Sequence, residues 1–135
     1  MKSIRSSHKP RVVIVMPAYY ADRTIERTFA EIPKGVVSEI ILVDDKSRDR
    51  TVAMAKRLGI TVYQHQHNIG YGGSQKTCYW EALKRKPDVV VMLHPDYQYD
   101  GSYIPKLIAP ILEGKYDCMF GSRMTTDDGA MKGGM

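Results

Sequence analysis

Residues 39–51 read EIILVDDKSRDRT. The apolar run EIILV has no polar alternation, the pattern of a strand buried on both faces, as in a parallel sheet. Two adjacent carboxylates, Asp44 and Asp45, close it. Asp49 then stands where a helix N-cap belongs, with Val52, Ala55 and Leu58 on one side of the helix and Gly59 to stop it. Strand, polar turn and helix in this order predict one unit of a parallel α/β sheet.

The same unit recurs on either side. Upstream, VVIVM at 12–16 ends at Pro17, and Ile25, Phe29 and Ile32 repeat at i, i+4 and i+7 on a helix capped by Asp22 and ended by Pro33. Downstream, TVYQ at 61–64 is a short strand. A glycine-rich turn at 68–73 then opens a helix reaching about residue 86, whose Tyr79, Trp80 and Leu83 are expected in the core. DVVVML at 88–93 is the fourth strand. Ser102 is placed to cap a helix bearing Ile104, Leu107, Ile108, Ile111 and Leu112, and DCMF at 117–120 is a fifth strand. Strands separated by helical stretches imply right-handed crossovers, hence a three-layer α/β/α fold with a mostly parallel, Rossmann-like sheet.

The 135 residues allow one domain, with a basic arm at 1–10, a core at 11–123 and a glycine-rich, aperiodic tail at 124–135. No apolar run approaches a membrane span, and the N-terminus lacks a secretory h-region, so a cytoplasmic location is expected. Cys78 and Cys118 have neither CxxC nor metal spacing and are expected to be reduced, buried thiols. Twenty Lys and Arg against fifteen Asp and Glu give a net charge of +5, which suits phosphate-bearing partners or an anionic membrane face. The basic residues are spread out rather than clustered with aromatics, which argues against nucleic acid.

Ligands of open parallel sheets bind beyond the carboxyl ends of the strands. The polar clusters fall there: Pro17-Ala18-Tyr19-Tyr20, Asp44-Asp45, His94-Pro95-Asp96-Tyr97-Gln98 and Gly121-Ser122-Arg123. The first turn reads P-A-Y-Y-A-D, which excludes the G-x-G-x-x-G of dinucleotide binders, and no Walker A loop is present. A tyrosine there can stack on a nucleobase, and a carboxylate after the second strand can accept from a base N–H. Capping the next helix is the competing role for such a carboxylate, and both readings stand for Asp44 and Asp45.

Asp96 and Gln98, with His94, are O and N donors two residues apart, suited to Mg²⁺ or Mn²⁺ on a diphosphate. Arg123 can grip the same diphosphate through its guanidinium fork. The helix N-terminus at Gly70 would attract an anion, and Lys76 one turn in would add charge or be merely solvated. His65 and His67 flank this turn without a third ligand and are expected on the surface.

VVIVMPAYY, IILVDDKSRDRT, NIGYGG, the DxD-like HPDYQ and GSR, in this order and spacing, resemble family 2 glycosyltransferases of the GT-A fold. The similarity is to dolichol-phosphate mannose synthase and polyprenyl-phosphate sugar transferases, and runs from about residue 11 to 123. It implies that Pro17, Ala18 and Tyr19 line a nucleobase pocket and that Asp45, beside Asp44, recognises the base. It further implies that Asp96, with Pro95 before it, serves the metal and diphosphate, that Gln98 assists, and that Arg123 contacts the donor diphosphate. Two positions depart from the family pattern: His94 replaces the first Asp of the DxD motif, and Tyr20 replaces an Asn.

The resemblance also implies an acceptor-side half, carrying any catalytic base, that nothing in this chain matches, so the fold is expected to be C-terminally incomplete. The function expected is inverting transfer of a sugar from a GDP- or UDP-linked donor, with a divalent metal, to a lipid phosphate such as a polyprenyl phosphate, or to a saccharide. Peripheral membrane contact would follow from a lipid acceptor. The alternative is a nucleotide-binding module without catalysis, or a truncated fragment.

Overall fold

A computed structural model describes residues 9–96 and 101–115. The elements in chain order are β1 (Val12–Ala18), α1 (Ile25–Glu31), β2 (Glu39–Asp44), α2 (Thr51–Arg57), β3 (Thr61–Gln64), α3 (Gly70–Leu83), β4 (Val89–Met92) and, after a 3₁₀ turn at Gly101–Tyr103, α4 (Ile104–Leu112). The four strands form one parallel sheet in the order β3-β2-β1-β4. The fifth strand expected at 117–120 and the Gly121-Ser122-Arg123 cluster lie outside the described residues.

β1 is central and buried along its whole length, as an unbroken apolar run requires. On one face Val12, Ile14, Met16 and Leu42 pack with Ile25 and Ile32 near α1, Ala55 of α2, and Ile104 and Ile108 of α4. On the other, Val13, Val15, Ile41 and Val43 meet Cys78 and Ala82 of α3. The chain steps outward from β1 to β2 to β3, then returns over the sheet through α3 to β4 on the opposite side of β1. Strand order therefore reverses between β1 and β4, which makes that gap the topological switch point.

Pro17 does not stop β1 at residue 16; the strand runs on to Ala18, with Pro17 opposite Val43. Its effect falls on the other side. The carbonyls of Val12 and Ala18 accept from the β2 side (Ser38 and Asp45 N–H), while Val15 accepts from Leu93, which follows β4. Odd-numbered residues of β1 thus face β4, and Pro17 lacks the donor the next rung would need. The β1–β4 register ends at Val15–Met92.

Several local expectations shift. α1 begins after Thr24 and α2 after Arg50, neither with a side-chain cap at that residue, although Asp49 Oδ1 accepts from Thr51 N–H at 3.0 Å, as a cap would. Ser102 does not cap α4; it lies in the 3₁₀ turn, and Tyr103 occupies the boundary. The glycines at 70, 72 and 73 are inside the first turn of α3 rather than ahead of it. Tyr79, Trp80 and Leu83 are exposed, because the face of α3 that meets the sheet is Ser74, Cys78 and Ala82. Small residues at that spacing let a helix approach a flat apolar sheet closely. Gly59, at φ +84°, ends α2 as expected, with Ile60 N–H returning to Ala55 O.

Candidate functional site

The loop after β1 is held against the turn after β2 by the polar positions of DDKSRDRT. Asp44 Oδ2 accepts from Ser47 N–H at 2.8 Å, and Ser47 Oγ in turn accepts from Tyr20 N–H at 2.8 Å. Thr51 Oγ1 accepts from Ala21 N–H at 2.8 Å while its hydroxyl donates to Asp49 Oδ1 at 2.5 Å. Asp22 Oδ2 accepts from Arg50 N–H at 3.3 Å. These bonds set Tyr19 and Tyr20 side by side over the sheet's end, ring centroids 4.5 Å apart and edge to face. Tyr20 has φ +53°, a left-handed conformation that suits Asn and strains a bulky side chain. The departure from Asn noted in the sequence therefore falls where Asn is tolerated better than a bulky side chain.

Across the switch point, Leu93 N–H bonds Val15 O at 2.9 Å and the chain then leaves the sheet. The Thr24 hydroxyl pins the Pro95 carbonyl at 2.5 Å, so α1's entry holds the His94–Asp96 turn. His94 Nε2 meets Tyr71 Oη at 2.9 Å, and Gln75 donates to the same hydroxyl at 2.9 Å, tying this turn to α3. Between the two loops lies a cleft of about 730 Å³ lined by Pro17, Tyr19, Tyr20, Asp22, Arg23, Asp49, Tyr71, His94, Pro95 and Asp96, among others. Size and position suit a ligand of nucleotide dimensions.

Not every candidate residue is in that lining. Pro17, Tyr19, His94, Pro95 and Asp96 are brought together there; Ala18, Asp44, Asp45, Gly70 and Lys76 are not. Lys76 is exposed on α3. Gln98 and Arg123 lie outside the described residues.

Asp45 is nearly buried and is bound on both oxygens. Oδ1 accepts from Ile69 N–H and from His65 Nδ1, each at 2.9 Å, and Oδ2 accepts from Gly70 N–H at 2.9 Å. It is in effect the cap of α3, delivered from β2 rather than from the helix's own chain neighbour. Burial alone would push its carboxyl up, but the bonds from Ile69, His65 and Gly70 outweigh that and hold it below the ordinary range. Asp44 is fully buried; Gln64 donates to Oδ2 at 3.1 Å, while Oδ1 has no hydrogen-bond partner among the described residues.

His65, expected on the surface, instead bridges elements. Its Nε2 meets Thr77 Oγ1 at 2.9 Å, and that hydroxyl donates to Gly73 O at 3.1 Å. Contacts on both ring nitrogens, to Asp45 and to Thr77, fix the orientation of the His65 ring between the end of β2 and α3. Ser47, Thr51, His65, Tyr71 and Thr77 were not among the sequence candidates. The S-x-D-x-T spacing after the two carboxylates was the available signal for the first two. His67 is exposed. Cys78 is buried, which pushes its thiol up to about 12 and leaves it protonated and inert; Cys118 lies outside the described residues.

Among the described residues no group of three or more His, Cys, Asp and Glu side chains could enclose a metal. Asp96 at the cleft supplies one carboxylate, which fits a cation of the Mg²⁺ type that keeps waters and binds phosphate oxygens, while His94 beside it is a softer nitrogen donor with Nε2 engaged by Tyr71.

A parallel α/β sheet with a ligand-sized cleft at its switch point belongs to the class of open-sheet proteins that bind ligands beyond the carboxyl ends of their strands. The chain belongs to glycosyltransferase family 2: the Glycosyl transferase family 2 model matches residues 13–133. It is 32% identical over 120 residues to a dolichol-phosphate mannosyltransferase of Pyrococcus furiosus, covering 84% of this chain and 33% of that one. It is 25% identical over 130 residues to the UDP-N-acetylglucosamine–dolichyl-phosphate N-acetylglucosaminyltransferase of Methanococcus voltae, covering 84% and 52%.

Among solved structures, glucosyl-3-phosphoglycerate synthase from Mycobacterium tuberculosis, in complex with Mn²⁺, UDP-glucose and phosphoglyceric acid, superposes with a TM-score of 0.63 at 26% identity, covering 78% of this chain and 41% of that one. The fold is GT-A. The chain thus spans about half the length, or less, of these proteins.

Proposed function

We propose that this chain is the donor-binding part of an inverting glycosyltransferase that takes a nucleoside-diphosphate sugar, UDP- or GDP-linked, and passes the sugar to a lipid phosphate. The observation that carries the reading is the cleft at the β1/β4 fork, with an aromatic lip on one side and the His94–Asp96 pair on the other. The UDP-linked donors and dolichyl-phosphate acceptors in the names of the relatives support it.

In this reading Tyr19 stacks on the base beside Pro17, and the loop bonds from Ser47 and Thr51 keep that surface in place before the ligand arrives. Asp45 contributes chiefly by locking the start of α3; the one lone pair left on Oδ2 is its reserve for a base N–H. Asp96, with His94 beside it, would hold a Mg²⁺ or Mn²⁺ ion, which would supply charge neutralisation for the departing diphosphate. Tyr71 fixes the His94 ring through its hydroxyl. Arg123 adds a second cation to the diphosphate. The bond from the anomeric carbon to the diphosphate oxygen breaks as an acceptor phosphate oxygen attacks from the opposite side. A phosphate acceptor is already an anion, so the step needs no strong base.

The test is thermal unfolding of the chain with UDP and with GDP, each with Mn²⁺ or with EDTA. At about 100 times its Kd a ligand adds roughly 2.7 kcal/mol, a clear rise in midpoint. The expected result is a metal-dependent rise with one of the two nucleotides that Asp96→Ala removes. A folded chain indifferent to both refutes the donor reading. Binding without sugar transfer to a polyprenyl phosphate, or donor hydrolysis, supports the non-catalytic module instead.

A further inference from the structure

Among the described residues, α3 alone covers one face of the sheet, and its two sides differ chemically. Ser74, Cys78 and Ala82 are buried against Val13, Val15, Ile41 and Val43. At about 100° per residue, Lys76, Tyr79, Trp80 and Leu83 fall together on the far side. Tyr79, Trp80 and Leu83 are 45%, 68% and 65% exposed. Three large apolar side chains contiguous on one helix face mark a surface that meets something other than water.

The charge beside them says what. Lys76 and Lys84 are exposed on this helix, Lys86 is exposed just past its end, and Lys84 Nζ lies 5.9 Å from the Trp80 ring. The one acidic residue of α3, Glu81, is largely buried on the flank and engaged by Arg85 at 3.3 Å and Lys84 at 3.1 Å. The whole chain carries +5. Trp and Tyr settle at the headgroup level of a bilayer, and lysines pair their stems with apolar surface while the ammonium reaches lipid phosphates. A second copy docking on the same face would set lysines against lysines, which disfavours a symmetric pair.

We propose that the outer face of α3 is a peripheral docking surface for an anionic lipid bilayer, with Trp80 and Leu83 at headgroup level and Lys76, Lys84 and Lys86 on lipid phosphates. The inference rests on α3 and not on the donor-site reading. Tyr71, at the other end of the same helix, lines the cleft. Docking on α3 therefore holds the cleft beside the membrane surface.

Trp80 is the single tryptophan, so its fluorescence reports on this face without a label. The full chain is titrated with vesicles of phosphatidylcholine alone and of phosphatidylcholine with phosphatidylglycerol. The expected result, with no nucleotide present, is a blue shift and quenching by brominated lipid with the anionic vesicles only, reversed by added salt. K76Q/K84Q, both changes at exposed positions, should bind those vesicles about tenfold or more weakly. Trp80→Ala, which removes an exposed side chain, should lose co-sedimentation while unfolding at the same temperature.

No blue shift with anionic vesicles overturns the proposal. So does equal binding to neutral vesicles, or a shift that follows protein concentration without lipid, which would make the face a self-association surface. Nucleotide-induced stabilisation that survives in a chain ignoring vesicles would leave the donor reading standing and this one refuted.

Discussion

The two ends of the sheet handle charge in opposite ways. At the amino ends of the strands, two arginines share the Glu39 carboxylate and fill their other donors with a phenol and carbonyls. The Arg85 guanidinium reaches Tyr63 Oη at 2.7 Å, Glu81 O at 2.8 Å and Glu39 Oε2 at 3.3 Å, while Arg11 reaches Glu39 at 3.4 Å and the Arg85 carbonyl at 2.8 Å. At the carboxyl ends, Asp44, Asp45, Asp49 and Asp22 are held by backbone N–H groups, hydroxyls, an amide and His65. The amino rim is a staple joining β1, β2, β3 and α3. The carboxyl rim positions loops by directed bonds and leaves the cationic partners of any bound phosphate to be recruited with it.

If that division is right, the rims separate under mutation. Asp45→Ala strands the N–H groups of Ile69 and Gly70 and the His65 ring, and should cost about 2–3 kcal/mol of stability by denaturant unfolding and abolish nucleotide-induced stabilisation. Arg85→Ala should cost about 1–2 kcal/mol and leave nucleotide affinity unchanged. A comparable loss of affinity in Arg85→Ala would erase the distinction.

Acid should weaken the carboxyl rim. Burial pushes both Asp45 and Asp49 up. Hydrogen bonds, from Ile69, His65 and Gly70 in one and chiefly from Thr51 in the other, bring each below its ordinary value of 3.8. A depressed carboxyl stabilises the fold fully above the unfolded value and loses that contribution as pH falls through the folded one. Denaturant midpoints should therefore hold down to about pH 5 and fall below 3.8, and Asp45→Asn should flatten that acid limb. An unchanged limb would remove Asp45 from the account.

Two glycines sharpen the picture on a smaller scale. A Cβ on Gly73 would lie 2.7 Å from the Ile69 side chain, whereas one on Gly72 meets nothing within 4 Å. Gly73→Ala should cost about 1 kcal/mol, and Gly72→Ala should gain about 0.5–1 kcal/mol from helix propensity, read from thermal midpoints. Smallest is Tyr20→Asn, which relieves the left-handed backbone at φ +53° and should stabilise by about 0.5 kcal/mol, at the expense of one aromatic lip residue.

The strands and helices were readable because long apolar runs and 3.6-residue stripes are strong local signals, and β1, β2 and α2 lie close to where those signals put them. α3 was misread: an aromatic at helical spacing looks like core, yet the sheet demanded small residues at closest approach, and Ser74, Cys78 and Ala82 won that face. The site was half legible. Pro17, Tyr19, His94, Pro95 and Asp96 converge as strand-end arithmetic predicts. His65 was not readable, because its role depends on meeting Asp45, twenty residues earlier, and Thr77, twelve later. No periodicity encodes contacts of that kind.

Pro17 carries one further consequence. Parallel strands zip until something stops them, and here the stop is covalent: an imino ring withholds the rung that would follow the Leu93–Val15 bond. The fork in the sheet is therefore open before any ligand arrives, and a ligand entering it spends no binding energy prying strands apart. Selection for a tighter, more stable sheet would have to begin by replacing this residue, and would narrow the mouth of the cleft as it did so.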